Sequence, residues 1–456
     1  MSVTILRSFS SDGLFARAMR SSAWTASGFA ISQVIRLASN LVLTRLLLPE
    51  AFGLMALVTV AMIGLANFSD VGVGQAIMAN RRGDDADFLD TAWTIQVARG
   101  GLLWLATCAL AAPVAALYDE PSLARILPVA GLTLLIAGFN PTRIETANRH
   151  LALGRVMLLD LTSQAIGVAV MVAAAVTTQS VWALVIGGIV GALAKLALMT
   201  RFLAGQGNRF RWEPDAGREL VGFGKWIFFS TVFGFVIAQG DRVILGKYLS
   251  LEWLGIYNIG YFLASAPLLL GGAIIGRVMI PLYRQGVIDP DANLAKTRAM
   301  RRVLTGVLLG ALLTMAFLGV PLIDALYDAR YAAGGPAVIL IACAQIPSVI
   351  GMTYDQAALA AGDSRRFCYV LAAKAALFST LFLIGAERGG LVAALVGQGL
   401  ALLLAYPLII WLARRYGQWD PAHDIAYATV GLACAATAIW LNWGAIALLT
   451  ASSALP

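Results

Sequence analysis

Leu102-Leu-Trp-Leu-Ala-Thr-Cys-Ala-Leu-Ala-Ala-Pro-Val-Ala-Ala-Leu117 carries no charge and no apolar–polar alternation, and Val303 to Val320 reads the same way. A strand of a membrane barrel would alternate over roughly ten-residue pieces. A helix spanning a bilayer needs about 20 apolar residues, so these stretches read as membrane helices. The whole chain agrees: of 456 residues, 59% are hydrophobic and 13% are Asp, Glu, Lys or Arg, with mean hydropathy +0.79. Soluble domains run at roughly 45–50% apolar and about 25% charged. This chain lacks the charge to cover a water-facing surface, and its composition fits an all-α polytopic membrane protein.

Apolar runs between polar punctuation predict spans near residues 22–47, 53–79, 92–117, 123–143, 156–177 and 181–203. A second group lies near 222–248, 254–281, 302–325, 334–361, 367–385 and 390–412. A further stretch, about 425–450, is either one long span or a span and a short re-entrant piece broken at Asn442-Trp443-Gly444. The expected number is about 13, within 12–14. Basic residues of short loops mark the cytoplasmic side. With a cytoplasmic N-terminus, 22 of the 33 Lys and Arg fall in inside segments, against five outside and six within spans. Residues 1–20 have Arg7, Arg17 and Arg20 but no apolar core, so they do not read as a cleavable signal peptide. The longer polar segments, 204–221 and 282–301, are both inside, and no outside loop could form a catalytic domain.

The sequence repeats itself. Val42-Leu-Thr-Arg-Leu-Leu-Leu-Pro-Glu-Ala-Phe-Gly-Leu-Met55 matches Ile244-Leu-Gly-Lys-Tyr-Leu-Ser-Leu-Glu-Trp-Leu-Gly-Ile-Tyr257 at an offset of 202, pairing Arg45 with Lys247, Glu50 with Glu252 and Gly53 with Gly255. Leu151-Ala-Leu-Gly154 and Leu359-Ala-Ala-Gly362 match at an offset of 208. Six spans per repeat is an even number, so the halves cross in the same direction. Two parallel six-helix bundles around a central cavity are expected: an N-terminal lobe over 1–208, a C-terminal lobe over 209–415, and extra membrane segments over 416–456.

A charge at mid-membrane costs about 2.5–3.5 kcal/mol on insertion scales, so such residues line wet cavities or pair with one another. Arg36 lies deep in the first span, too deep to snorkel easily. Arg99, Arg242 and Arg277 lie nearer span ends and join it as candidate cavity cations, which makes an anionic substrate the expected one. Asp70 and Asp355 are candidates for ion coupling or for neutralising a nearby Arg. Gly72 to Gly74, Gly271-Gly272 and Gly334-Gly335-Pro336 permit close packing or bending.

Other chemistry is absent from the sequence. The four cysteines sit inside apolar runs. His150 and His423, the only histidines, read as separate cytoplasmic loop residues at no metal-ligand spacing. There is no phosphate-binding P-loop and no metalloprotease or hydrolase grouping. No cofactor and no enzyme activity are expected. The net charge of +8 reads as contact with anionic membrane lipids, not nucleic acid.

Several segments resemble the Wzx-type polysaccharide and O-antigen flippases, the polysaccharide transporter branch of the multidrug/oligosaccharidyl-lipid/polysaccharide exporter superfamily. They are Ser21-Ser-Ala-Trp24, Gln33-Val-Ile-Arg36, Leu43-Thr-Arg-Leu-Leu-Leu-Pro-Glu-Ala-Phe-Gly-Leu-Met-Ala56, Phe68-Ser-Asp-Val-Gly-Val-Gly-Gln75 and Gly240-Asp-Arg-Val-Ile-Leu-Gly246. The resemblance covers about residues 18–415. It implies a two-lobed bundle with alternating access in the bacterial inner membrane. The implied substrate is a polyprenyl-diphosphate-linked oligosaccharide moved outward for exopolysaccharide, capsule or O-antigen of lipopolysaccharide. A glycan polymerase and other assembly proteins are the implied partners. Diphosphate or acidic-sugar binding carries over to Arg36 and Arg277; Arg99 and Arg242 are assigned from depth alone. The departure is at the C-terminus, where relatives often have fourteen spans. The alternatives are a drug or cation exporter of the same superfamily, for which an acidic cavity is expected, a membrane scaffold, and a glycan polymerase, which would need a large outer loop.

Overall fold

The computed structural model describes residues 14–69, 72–224, 227–288 and 290–452, with only the backbone described at 14–23, 26, 221–224, 227–230, 277, 285–288 and 290–293. Among the described residues every regular element is a helix. The chain divides into two compact units, residues 1–47 with 58–231, and residues 48–57 with 232–456.

The first unit contains α1 (Leu14–Leu46), most of α2 (Pro49–Phe68), α3 (Val73–Ala79) and α4 (Ala86–Leu117). It continues through α5 (Ser122–Ala130), α6 (Leu132–Gly138), α7 (Arg143–Arg149), α8 (Leu153–Thr178), α9 (Trp182–Phe202) and α10 (Pro214–Gly224). Helices α8 and α9 meet through glycines: a Cβ on Gly167 would lie 2.9 Å from the Gly191 Cα, the close approach that small residues allow between membrane helices. The expected span at 123–143 is broken, with a 58° bend between Ser122–Gly138 and α7. Pro141 interrupts the sequence there and cannot donate to a continuing helix.

The second unit holds the start of α2, most of α11 (Ile227–Tyr248), α12 (Leu251–Ile288), α13 (Pro290–Leu326), a 3-10 turn (Ala329–Tyr331), α14 (Gly334–Ala344), α15 (Ile346–Gly351) and α16 (Asp355–Ala360). After these come α17 (Ser364–Arg415), α18 (Pro421–Leu441) and α19 (Trp443–Ser452). Within Gly334–Ala360, 78% of the apolar 18-residue window is buried, as expected of a segment apolar on all sides, and Ile339, Ile346 and Val349 from this stretch pack with Leu312, Met279 and Ala438. The 52 residues of α17 are two helices meeting at Gly389 and Gly390, both non-helical, Gly390 with φ 63°.

By length and composition, nine helices among the described residues are able to cross a membrane, or ten if the bent pair is one span. The stretch near 425–450 takes the broken form, α18 and α19 parting at Asn442. The polar stretch 282–301 is largely helical instead of a loop, because α12 (38 residues) and α13 (37 residues) run on to roughly 57 Å at 1.5 Å per residue, well past a ~30 Å hydrocarbon core.

The matched glycines of the repeat touch. A Cβ on Gly53 would lie 2.0 Å from the Leu251 carbonyl oxygen, and one on Gly255 would lie 1.9 Å from that of Pro49. Leu251 is Pro49 shifted by the repeat offset, so the contact is reciprocal, as between two halves of a two-fold interface. Bare backbone at both positions is what lets the starts of α2 and α12 cross.

Candidate functional site

In the first unit Arg36 is exposed on α1. One turn earlier Ser32 donates to Gln164 Oε1 of α8 at 2.8 Å. Arg99, on α4, has a bonded guanidinium: Nε donates to Ser69 Oγ at 3.0 Å and Nη2 to the Ala66 carbonyl at 2.6 Å. Ala66 belongs to the last turn of α2, whose carbonyls have no helical partner, so Arg99 caps that helix. It also borders a 370 Å³ cavity with Gln75, Gln96, Gly138 and Glu145. Gln96 donates to the carbonyls of Gly138 and Asn140 at 3.2 and 3.1 Å, satisfying the broken end of α6. Another span charge, Lys195, pairs with Asp160 at 2.6 Å.

The polar linker after α9 is strapped along α4. Backbone N–H groups of Arg209, Arg211 and Glu213 donate to Asp90 Oδ1, Thr94 Oγ1 and Thr91 Oγ1 at 3.0, 3.0 and 3.1 Å. Arg82 forks onto Glu213 through two bonds of 2.8 Å and also binds Asp85 at 3.0 Å. Bonds from Arg82 hold the Glu213 carboxyl below its usual range and push the Arg82 guanidinium up. The Asp87 N–H and then Arg82 do the same to the Asp85 carboxyl. His150 follows α7 and binds Asp84 Oδ1 at 2.7 Å, which lowers the Asp84 carboxyl.

In the second unit Arg242 has a partner that the sequence reading overlooked, its neighbour Asp241, which is 2% exposed. The ion pair measures 3.4 Å. Arg242 Nε donates to Asn258 Oδ1 at 3.0 Å, and its guanidinium lies 4.2 Å from the centre of the Tyr261 ring. Tyr257 donates its hydroxyl to Asp241 Oδ2 at 2.5 Å. This joins α11 to α12 and offsets the charge of Arg242 internally. Asp355 is paired with Lys374 at 2.8 Å, the neutralised arrangement. The Arg277 side chain and the whole of Asp70 lie outside the described residues.

A buried polar cluster at the start of α18 also escaped the sequence reading. His423 is not a loop residue: it is 2% exposed, beside Asp424 at 7%. Asp420-Pro421 was the available signal, since Asp favours the N-cap and Pro the first helical position, and the Asp420 side chain does accept from the His423 N–H at 3.3 Å. Arg301, read as a cytoplasmic residue, is 0% exposed on α13. Its guanidinium lies 4.3 Å from the centre of the Tyr354 ring and donates to the Tyr283 hydroxyl at 3.0 Å. Among the described residues no three His, Cys, Asp or Glu side chains are grouped to hold a metal ion.

Known proteins resemble the chain in sequence and in fold. Succinoglycan biosynthesis transport protein ExoT of Rhizobium meliloti is 21% identical over 66% of this chain, which spans 60% of that relative's length. Teichuronic acid biosynthesis protein TuaB of Bacillus subtilis is 21% identical over 78% of this chain and 72% of its own. Among solved structures, lipid II flippase MurJ in an inward closed conformation superposes with a TM-score of 0.71 at 9% identity, over 91% of this chain and 92% of that one. An inward-facing multidrug resistance MATE family transporter of the MOP superfamily gives 0.61 at 12% identity, over 85% and 94%. At these identities the structures establish a shared all-helical fold. A family model described as polysaccharide biosynthesis protein matches residues 42–334, more than half of the chain. The chain belongs to the polysaccharide biosynthesis protein family.

Proposed function

We propose that the protein is a flippase that moves polyprenyl-diphosphate-linked oligosaccharide units from the cytoplasmic to the outer leaflet of the bacterial inner membrane, for exopolysaccharide, capsule or O-antigen assembly. The observation that carries this reading is the family match over residues 42–334, seated in a fold shared with a lipid II flippase over nine-tenths of both chains. Two relatives named for succinoglycan transport and teichuronic acid biosynthesis support it. The protein is a transporter and not an enzyme: the diphosphate linkage is carried, not cleaved.

In this mechanism an N-terminal lobe (1–208) and a C-terminal lobe (209–415) alternate in access, while the lipid tail stays in the bilayer. Arg36 and Arg277 hold the diphosphate or an acidic sugar by charge-assisted hydrogen bonds. Arg99 contributes positive potential, Arg242 offers the substrate hydrogen-bond donors while Asp241 offsets its charge, and Asp70 and Asp355 serve as coupling or pairing carboxylates. Glycan polymerase and other assembly proteins receive the product. Arg36→Ala and Arg277→Ala are each expected to abolish polysaccharide export in a deletion strain while the protein reaches the membrane at normal level. Normal export by both variants rejects charge capture by these residues. Loss of flipping of a fluorescent polyprenyl-diphosphate oligosaccharide in proteoliposomes places the defect in transport itself.

A further inference from the structure

The His423–Asp424 pair takes no part in the mechanism above. Asp424 Oδ1 accepts the Tyr354 hydroxyl at 2.8 Å and faces His423 Nδ1 at 2.9 Å, and its Oδ2 accepts Trp419 Nε1 at 3.1 Å. An ionised carboxylate only accepts hydrogen bonds, so Nδ1 carries the ring hydrogen. Nε2 then accepts from the hydroxyl of Thr305 on α13, 3.1 Å away. Thr305 is itself 0% exposed.

We propose that His423 is a proton-binding site, and that its protonation state sets the contact between α13 and α18. A proton arriving at Nε2 turns that nitrogen from acceptor to donor. The Thr305 oxygen must then accept, and its hydrogen turns to another acceptor, for a helical threonine the carbonyl four residues back, here that of Arg301. The Nδ1 bond becomes an imidazolium–carboxylate ion pair. One proton is gained, one hydroxyl rotates, and no covalent bond other than the new N–H forms or breaks.

Charged and titratable groups face the pair from each neighbouring element. Arg301 of α13 and Asp424 bracket the Tyr354 ring, one stacked on its face and the other on its hydroxyl. Tyr427 lies 4.7 Å from the His423 ring, centre to centre, and Tyr406 of α17 packs beside Tyr354 and Trp419. Asp420 is met by Arg298 and Arg302 of α13 at 3.9 and 3.5 Å. Three arginines, Arg298, Arg301 and Arg302, face two carboxylates, Asp420 and Asp424, so the cluster is already positive by one charge and the proton adds a second. The Nε and Nη1 groups of Arg301 are buried with no acceptor among the described residues.

The chain has only two histidines, so the full-length protein labelled with 15N-histidine in lipid nanodiscs gives two ring systems, and His150→Gln assigns them. In a pH series the Nε2 resonance of His423 is expected to pass from acceptor to protonated nitrogen, the change of charge of which an imidazole is capable. Backbone hydrogen exchange at residues 298–309, compared with His423→Gln at each pH, should change at least threefold across the same midpoint. Thr305→Val should keep the titration and lose the exchange response. A His423 ring in one protonation state throughout overturns the site. A titrating ring with no change in α13 exchange overturns its effect on the helix contact. Neither readout involves transport, so failure here is distinct from failure of the flippase reading.

Discussion

Asp241 of α11 is tied to Tyr257 of α12 by a buried hydrogen bond. Its carboxylate is buried with Arg242, and an ion pair that loses one member leaves a charge with neither water nor partner. Asp241→Ala is therefore expected to destabilise the protein by ~3 kcal/mol, read as a lowered thermal midpoint in lipid nanodiscs. Tyr257→Phe, which removes a single hydrogen bond to a charged group, should cost about 1.5–3 kcal/mol. An Asp241→Ala protein as stable as the parent would mean that Arg242 finds water instead. Span charges were legible as unusual from the sequence, whereas their partners were not. Lys195 meets Asp160 and Lys374 meets Asp355 across different helices, and depth along one helix carries no record of which neighbour faces it.

At the scale of elements, the crossing of α2 and α12 permits a sharp test. Gly53→Ala and Gly255→Ala each place a methyl group about 2 Å from a backbone carbonyl oxygen, where no side chain can move aside. Overpacking costs roughly 1–3 kcal/mol or more, against a helix-propensity gain of about 1 kcal/mol. Each variant should unfold at lower temperature, and the double variant should lose less than the sum, since both methyl groups enter one contact. The strap on α4 is an acid-sensitive element. The lowered carboxyls of Asp85 and Glu213 stabilise it fully above the ordinary carboxylate values of about 3.9 and 4.3, and that contribution disappears as pH falls through the lowered values. A spin label at Phe210→Cys, with the native cysteines replaced, should gain mobility below about pH 4 in the parent and already at pH 7 in Arg82→Gln. Equal mobility of parent and variant at pH 7 would show that Arg82 does not hold the strap. Apolar runs located most of these helices, and the repeat offset marked the two glycines. The continuation of α12 and α13 through 282–301 was hidden, because charged residues report where a segment leaves the hydrocarbon and not whether it stays helical.

For the molecule as a whole, the distribution of Lys and Arg sets an expected orientation. Fusions of green fluorescent protein and of alkaline phosphatase after Gln206 should be fluorescent and inactive respectively, and after Asp328 the reverse. The opposite pattern would reject a cytoplasmic N-terminus. Taken alone, the sequence determined the helical membrane class, the repeat and the family resemblance, because hydropathy, spacing and motif order are properties of the chain read in one dimension. The tertiary structure alone decided that Arg242 is paired, that His423 is buried against α13, and that Gly53 meets Gly255. Each of those facts depends on which faces of helices distant in sequence come together, and burial and hydrogen bonding act only once they do.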